Sequence, residues 1–549
     1  MPQTGELLDG QSGLPVDNPT KSYWHREPSE KLLDHRTTKE LPRSADVVIV
    51  GSGITGSFAA HFLKEKRPDL NVVMLEAREA CWGATGRNGG HCQPAIYAAQ
   101  AHIASFELRN FAYLKALVED LSIPCDWRST SGVHAFYSAP LFAEVRRVVD
   151  DLAGAYPDLA ANVAVVTRGE GEGESGKGDG LAGTPAYLLE GERRELTLGG
   201  LRVPGAEGAV VQWNAASLWP YKLVAFVLER LLAANGAGAE AAGSFNLQTN
   251  TPATGLSAAS PPASLSSPGG SSSTTASPVW TVHTPRGTVS APRVLLATNA
   301  YTSHLLPSFA DLIVPTRGQV SALKPPEQQP AAPSDPPLDI GHTYYIVGEP
   351  DNAMERDDYL VQRPPPPAEL VFGGGRRHAK GRGVGVWDDG SVDEPVAWYL
   401  RGELGSVLDL SLHSPSSKTE GGGGSHPTVK KQDLEPTYEW TGIMGYSRDG
   451  HPFVGRVPSS LGGGPDDDDA DVGLYVCAGY TGHGMPNAVL SAKAAVDMMY
   501  GDGDGDGAEV DLPPEYELTE QRVAAARRGD EVAVVDSKGT LYADFGHLL

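Results

Sequence analysis

Residues Val47–Gly56 read Val-Val-Ile-Val-Gly-Ser-Gly-Ile-Thr-Gly, and this stretch decides the fold. Its run of β-branched residues predicts a short buried strand of a parallel sheet. Helical spacing follows over Ile54–Lys66, and a second apolar run, Asn71–Leu75, predicts the next strand. Strand, helix and strand in this order form a βαβ unit. The G-x-G-x-x-G motif therefore lies where a dinucleotide-binding fold requires it.

Three glycines and one carboxylate indicate which nucleotide binds. Gly51 permits the tight turn, Gly53 lets the backbone approach the pyrophosphate, and Gly56 allows the helix to pack closely on the sheet. The helix N-terminus presents its positive dipole end to the phosphates. Glu76 follows the second strand, where a carboxylate accepts hydrogen bonds from ribose hydroxyls and repels a 2′-phosphate. The pattern favours FAD or NAD over NADP.

The bulk composition excludes some partners. The 549 residues include 44 basic and 69 acidic side chains, for a net charge of −25, which disfavours a nucleic-acid surface. Four cysteines with no C-x-x-C pair suit a reducing compartment. The first residues lack an apolar signal core, and no run of 18 apolar residues could span a membrane. We therefore expect a cytoplasmic protein with no membrane partner; its oligomeric state is left open.

Six biased segments interrupt the dense parts of the chain. They are rich in Gly, Ser, Pro and Asp and cover roughly 168–183, 257–278, 325–337, 411–427, 462–469 and 501–507. Because they are too polar to offset their ordering entropy, we interpret them as disordered loop expansions. The segment Asp502–Gly507 imitates the start of a calcium-binding loop, but Pro513 stands where the bidentate Glu would be, so no metal is expected.

A glycine-rich loop then favours a flavin over a nicotinamide. Residues Cys81–His91 read Cys-Trp-Gly-Ala-Thr-Gly-Arg-Asn-Gly-Gly-His, with no apolar period. A flavoprotein uses such a loop to hold one edge of the isoalloxazine ring with backbone groups. Here the chain resembles the FAD-dependent oxidoreductases of the D-amino-acid oxidase type. Within that family it is similar to the γ-glutamylputrescine oxidase-like members, which carry an A-[ST]-G-R-N-G-G segment, in a long form typical of fungi.

Three later motifs carry the same resemblance: Ala297–Tyr301, then Trp440-x-Gly442 followed by Asp449-x-x-Pro452-x-x-Gly455, and then Ala478–Met485. The first forty residues and the biased segments lie outside it. The last motif is a glycine-rich turn before a helix, which could stabilise the reduced pyrimidine edge of the flavin and so raise its reduction potential. The resemblance implies FAD as the cofactor, held by Gly51, Gly53, Ile54, Thr55, Gly56, Glu76, Ala77, Arg78, Thr85, Gly86, Arg87, Asn88, Gly89, Gly90, Thr298, Asn299, Gly479, Thr481, Gly482, His483, Gly484 and Met485.

One departure from the family bears on the substrate. Members that oxidise α-amino acids typically place an arginine after the W-x-G pair, where it binds the substrate carboxylate bidentately. Met444 stands at that position here. Arg317 or Arg363 could substitute, although each could equally be a structural ion-pair residue. An amine, a polyamine derivative or an N-alkylated compound is therefore favoured over a simple D-amino acid.

Three further side chains are candidates for the substrate face of the flavin. His91 could act there as a base or polariser, or be an ordinary loop histidine. Trp440 could border the substrate. Tyr480 could form a wall of the pocket, although a core tyrosine is slightly favoured.

The predicted fold is α/β, with a Rossmann-like FAD-binding domain and an interleaved, mostly antiparallel α+β substrate domain. The first should comprise 45–95, 210–310 and 435–500, and the second 96–209 and 311–434. The segment 1–44 is then an N-terminal extension, and 501–549 a C-terminal tail. A long amphipathic helix is predicted over Ala215–Asn235.

The predicted activity is oxidation of a carbon–nitrogen bond by hydride transfer to FAD, with O2 as the acceptor. Transfer from a deprotonated amine needs no obligatory side-chain base. Two alternatives stay open: a flavin dehydrogenase that uses another acceptor, and a scaffold protein in which FAD is structural.

Overall fold

The computed structural model describes residues 7–168, 196–235, 243–259, 279–326, 337–349, 352–412, 433–464, 472–501 and 510–529. The six biased segments, including the imitation of a calcium loop, lie mostly outside these ranges. No helix in the described ranges is long and apolar enough to cross a membrane.

The described residues form strands and helices in the following order along the chain. In order, the strands are β1 (Val47–Val50), β2 (Val72–Leu75), β3 (His91–Cys92), β4 (Arg128–Phe136), β5 (Val163–Thr167), β6 (Gly208–Ser217), β7 (Phe245–Gln248), β8 (Gly255–Ala259), β9 (Val279–Thr284), β10 (Gly287–Ala291), β11 (Arg293–Leu296), β12 (Ile313–Leu323), β13 (Thr343–Glu349), β14 (Asn352–Gln362), β15 (Leu370–Gly373), β16 (Pro436–Ser447), β17 (Phe453–Arg456) and β18 (Gly473–Ala478). The helices are α1 (Ile54–Lys66), α2 (Ala101–Asp120), α3 (Ala139–Ala155), α4 (Pro157–Ala160), α5 (Pro220–Ala234), α6 (Thr302–Leu305), α7 (Glu394–Val407), α8 (Ala488–Tyr500) and α9 (Glu520–Arg528). Short 3-10 turns include Tyr23–His25, Ala84–Arg87 and Asn299–Tyr301.

The first sheet is the parallel one that the βαβ unit predicts. Its order is β17-β18-β11-β1-β2-β7, and all pairs are parallel except β17 with β18. Strand β1 is buried on both faces, as its continuous apolar sequence requires. Helices α1, α5 and α8 pack together over one face, and the antiparallel sheet β10-β9-β8 covers the other.

The second sheet is mostly antiparallel. Its order is β16-β12-β15-β14-β13-β4-β6-β3, with β5 also paired to β6, and β13 with β4 is its parallel pair. Helix α7 packs on one face, and α3 packs on β4 and β6. A parallel dinucleotide-type sheet beside a mostly antiparallel one confirms the predicted α/β fold class.

Two predicted boundaries differ from the strand pairing. The helix predicted over Ala215–Asn235 begins at Pro220, because its first residues complete β6, and proline suits the first helical turn. Strands β3, β6 and β16 pair in the nine-stranded sheet, although the predicted domain boundaries place all or most of each in the FAD-binding part. The division of the chain into two domains stays a prediction.

Candidate active site

A cavity lies between the carboxyl ends of β1, β2 and β11 and the nine-stranded sheet. Its nucleotide end is the part lined by Gly51–Thr55 and Glu76–Arg78. Its far end is the part lined by His91, His134, Asp357, Arg376, Met444 and Tyr446. The two ends meet along the glycine-rich loop and the turn that follows β18.

Close backbone contacts shape the nucleotide end. Gly51 has a φ of +106°, and a Cβ there would lie 2.6 Å from the Ala297 carbonyl oxygen. A Cβ on Gly56 would lie 2.0 Å from the Gly51 oxygen, so this glycine permits the close packing of α1 on β1. No side chain caps α1 at Gly53, and Ile54 N donates to the Thr85 hydroxyl at 3.1 Å. The first turn of α1 therefore faces the cavity with its positive dipole end.

Glu76 is fixed by neighbouring donors. Its carboxylate accepts from the backbone N–H and the hydroxyl of Ser52, at 3.0 and 2.6 Å, and from Arg78 N at 2.9 Å. The side chain is buried and lines the cavity. Carboxylate oxygens accept more than one hydrogen bond each, so Glu76 can still receive a ribose hydroxyl.

Two buried arginines share one carboxylate beside the glycine-rich loop. Asp389 lies 2.9 Å from Arg78 Nη1 and 3.1 Å from Arg87 Nε. Burial lowers the pKa of Arg87 to about 10, partly offset by Asp389, so Arg87 stays charged at neutral pH. Its Nη1 is buried and has no hydrogen-bond partner among the described residues. Both arginines line the cavity, and with Asp389 they form a group that carries one net positive charge beside the Glu76 carboxylate.

The turn after β18 is held by a side-chain amide and by left-handed backbone. Asn299 accepts from Gly479 N at 3.0 Å, and Thr481 receives Ser447 N on its hydroxyl at 3.1 Å. Gly479, Thr481 and Gly482 all have positive φ values. The N–H groups of Thr481 and His483 donate to the carbonyls of Gly445 and Tyr480, so the protein itself fixes the shape of this turn.

At the far end an ion pair faces the cavity. Arg376 Nε donates to Asp357 Oδ2 at 2.8 Å, and its Nη1 donates to the Tyr446 hydroxyl at 2.7 Å. Arg376 follows β15 and Asp357 lies on β14, so neighbouring strands bring the two together. Met444 lines the cavity beside them, from β16. A thioether cannot donate to a carboxylate.

Neutral imidazoles complete the far end. Burial lowers the pKa of His91 to about 4 and that of His134 to about 3, so both are neutral at pH 7. The Tyr97 hydroxyl lies 2.5 Å from His134 Nδ1, and Gln93 contacts the opposite ring nitrogen. His91 Nε2 is buried and has no hydrogen-bond partner among the described residues.

The predicted cofactor residues converge on this one cavity. Most of them line it: Gly51, Gly53, Ile54, Thr55, Glu76, Ala77, Arg78, Thr85, Arg87, Asn88, Gly89, Thr298, Asn299, Thr481, Gly482, His483, Gly484 and Met485. Gly56, Gly86, Gly90 and Gly479 are not among the lining residues, and an added Cβ at each would lie 3.2 Å or less from a neighbouring residue. Within the described ranges, no group of three or more His, Cys, Asp or Glu side chains could hold a metal ion.

The structure corrects two of the arginine candidates. Arg317 interacts with the Asp388 carbonyl, Ser391 and Asp393, and it is not among the lining residues. Arg363 is buried against two indole rings and pairs with Asp126 at 2.5 Å, also away from the lining. Both side chains have structural partners instead of facing the cavity.

Two aromatic candidates also have structural contacts. Trp440 is fully buried, and its indole N–H donates to the Arg87 carbonyl at 2.8 Å, so it supports the glycine-rich loop from behind. Tyr480 borders the cavity, but its hydroxyl bonds to Thr55 at 3.0 Å and to Cys477 at 3.1 Å. Of the predicted substrate-face side chains, His91 alone lines the cavity with an unpartnered polar atom in the described part of the chain.

The sequence prediction missed Asp357, Arg376, Tyr446 and His134. One signal was present: Gly373-Gly374-Gly375 directly before Arg376, a strand end followed by a tight turn. Gly374 and Gly375 have positive φ values, and at Gly374 a Cβ would lie 2.1 Å from the Asp358 carboxylate.

One protein-family model matches this chain. The model of the family described as FAD dependent oxidoreductase (DAO) matches residues 46–498. The comparison with curated proteins gives no match.

Solved structures share the fold. Glycine oxidase from Geobacillus kaustophilus has a TM-score of 0.55 and 19% identity, over 83% of this chain and 95% of that one. L-Amino acid deaminase from Proteus myxofaciens, in complex with anthranilate, has a TM-score of 0.56 and 13% identity, over 93% and 99%. Iminodiacetate oxidase from Chelativorans sp. BNC1 has a TM-score of 0.54 and 14% identity, over 86% and 99%. At these identities the likeness shows the fold alone.

Proposed function

The chain belongs to the FAD-dependent oxidoreductases of the D-amino-acid oxidase type, and from this membership we propose that it oxidises the carbon–nitrogen bond of an amine with dioxygen as acceptor. It is thus an FAD-dependent amine or amino-acid oxidoreductase. Within the family we also propose a place among the γ-glutamylputrescine oxidase-like members of the fungal long form, on the strength of Ala84–Gly90.

The described residues fit FAD. The nucleotide end offers the uncapped helix N-terminus at Gly53 and the fixed carboxylate of Glu76. Arg87 Nη1 and His91 Nε2 are buried polar atoms without partners in the described chain, and burial of such atoms is costly unless a bound group satisfies them. We propose that the cavity-lining residues predicted from the motifs hold the cofactor, with the turn Gly479–Met485 at its flavin end.

One observation carries the choice of an amine. Met444 stands in the cavity where a carboxylate-binding arginine would lie, and the guanidinium of Arg376 is already paired with Asp357 and Tyr446. A free α-carboxylate entering the far end would meet the Asp357 carboxylate and no arginine without an anionic partner among the described lining residues. An ammonium or amine group meets acceptors instead.

The side chains at the far end bind and orient more than they transfer protons. When bound, FAD supplies the two-electron acceptor for the hydride that leaves the carbon next to nitrogen. His91 is neutral at pH 7, and its Nε2 can accept a hydrogen bond from the substrate nitrogen without repelling a cationic group. Both ring nitrogens of His134 are hydrogen-bonded to Tyr97 and Gln93, so this neutral imidazole contributes the shape of the wall and no charge.

The experiment that tests this function is a screen of flavin bleaching and peroxide release with the purified yellow protein. The panel comprises N-methyl amino acids, polyamines, γ-glutamylated amines and D-amino acids. We expect an amine to bleach the flavin without oxygen and to yield one peroxide per turnover in air. Bleaching without peroxide would indicate a dehydrogenase, and no bleaching by any amine would favour the scaffold alternative.

A further inference from the structure

We propose that residues 10–25, here called the N-terminal strap, are part of the FAD site and hold the glycine-rich loop Ala84–Gly90 in its binding conformation. The family match begins at residue 46, so the strap lies outside it. The proposal rests on the assignment of the cavity to FAD and is independent of which substrate is oxidised.

The strap binds the carbonyl groups of the loop. The Ser22 hydroxyl donates to the Gly86 carbonyl at 2.7 Å, and the Trp24 indole donates to the Asn88 carbonyl at 2.6 Å. The carbonyl between them, that of Arg87, accepts from the buried indole on β16. Three consecutive carbonyl oxygens are therefore held by side chains of the protein, two of them from the strap. Because a carbonyl is the negative end of the peptide dipole, these contacts help the loop offer its donors to the cavity.

The strap also fixes the arginine of the loop. Arg87 Nη2 donates to the carbonyl and to the hydroxyl of Thr20, the latter at 2.7 Å. Thr20 is itself anchored, because its N–H donates to the Asp389 carbonyl at 2.8 Å and its hydroxyl accepts from Thr441 N at 3.0 Å. Because a guanidinium is planar and rigid, hydrogen bonds from one of its nitrogens fix the direction in which the other nitrogens point. Arg87 Nη1, which has no partner in the described chain, is thereby fixed at the cavity wall.

Two glycines of the glycine-rich loop, Gly86 and Gly90, lie where the strap approaches the loop most closely. A Cβ on Gly86 would lie 2.3 Å from His25 Nε2, and a Cβ on Gly90 would lie 2.6 Å from the Trp24 ring. The His25 ring stacks on Trp82 at 4.8 Å, just before the loop. Since Tyr23 and Trp24 are both fully buried, this contact is part of the core and not a surface association.

The beginning of the strap forms part of the cavity wall. Leu14 and Pro15 line the cavity. They are positioned by Ser12, whose N–H donates to the Ser303 hydroxyl at 2.9 Å, next to the lining residue His304. The strap thus contributes lining residues as well as support for the loop.

The test compares FAD affinity in two matched double variants of the full chain. Thr20→Val with Ser22→Ala removes the strap hydroxyls that contact the loop. Thr37→Val with Ser29→Ala makes the same chemical changes further along the extension, where the hydroxyls contact Leu247 and Glu229 instead. For each apo-protein the measurements are the dissociation constant for FAD, by flavin fluorescence quenching, and the melting temperature without FAD.

We expect the strap variant to bind FAD at least about tenfold more weakly than the control variant, with the two apo melting temperatures equal. An unchanged affinity, or a loss of affinity matched by an equal loss of apo stability, would overturn the proposal. Gly53→Asp in the same assay separates this failure from a wrong cofactor site: retained FAD in that variant would overturn the assignment of the cavity itself.

Discussion

The nucleotide end and the far end of the cavity are built from different kinds of contact. At the nucleotide end the cavity is shaped mainly by backbone groups, those of Gly51, Gly53 and the first turn of α1. At the far end side chains from separate strands meet, as Asp357 and Arg376 do. The residues of a backbone site are close together in the sequence. A side-chain site is instead assembled by the pairing of strands that are far apart in the sequence. The first end matches the predicted cofactor motifs, and we propose that the second selects the substrate.

The largest effect is expected on flavin content, from a substitution at the nucleotide end. Gly53→Asp places a carboxylate at the uncapped N-terminus of α1, where the pyrophosphate is expected, so the protein should purify without flavin. Absorbance at the flavin band, divided by protein concentration, measures this. Gly154→Asp is the matched control, since that glycine on α3 is exposed and has no neighbour within 4 Å of an added Cβ. Stoichiometric yellow colour in the Gly53 variant would show that the phosphates bind elsewhere.

The next effect tests the far end. Met444→Arg introduces a guanidinium at the position where members that oxidise α-amino acids typically carry one, and one charge-assisted bidentate contact is worth about 10- to 100-fold. The ratio of kcat/KM for an amino acid to that for its decarboxylated amine should rise by about this factor. Met444→Leu should keep the wild-type ratio. If the arginine variant keeps it too, Met444 does not decide the substrate class.

A smaller effect is expected when the ion pair is opened. Asp357→Asn leaves Arg376 without its carboxylate partner, so cationic amines should lose about tenfold in kcat/KM while anionic substrates gain. Asp311→Asn, which breaks an exposed pair with Arg527 far from the cavity, serves as the control. Equal losses for amines and carboxylates would indicate a structural role for Asp357.

The smallest expected effect is on stability and concerns Asp358, which lies behind the Arg376 turn. It accepts from Gly375 N at 2.8 Å and from the Tyr399 hydroxyl at 2.5 Å, and Arg356 lies 3.9 Å away. Burial, together with Asp357, raises its pKa to about 7. Because the pKa of Asp358 is higher in the folded state than in the unfolded state, its proton favours folding. This contribution to the free energy of unfolding is complete below about pH 4 and is lost as pH rises toward 7.

Asp358→Asn should therefore flatten the pH dependence of stability. Urea unfolding between pH 5 and 7 should show a smaller decline in the free energy of unfolding than wild type, by about 1 kcal/mol per pH unit. Parallel curves for the two proteins would mean that Asp358 does not hold a proton in the folded state.

The nucleotide end could be predicted from the sequence more completely than the far end, because its residues are close together in the chain. Helix Ile54–Lys66 and strand Val72–Leu75 were predicted almost to the residue, because burial and turn chemistry act locally. Of the two roles left open for Arg363, the structure shows the ion pair, and a sequence cannot show that Trp24 and Asp126 surround it. Arg376 was missed because its partners come from other strands. The strap was left without a role, since its contacts with the loop span more than sixty residues of chain.

The most direct measurement is the anaerobic rate of flavin bleaching with a matched pair, putrescine and ornithine, which differ by one α-carboxylate. Both offer a primary amine, so the comparison isolates the far end of the cavity. We expect putrescine to bleach the flavin faster than ornithine does, and the order to reverse in Met444→Arg. Faster bleaching by ornithine in the wild-type protein would contradict this expectation.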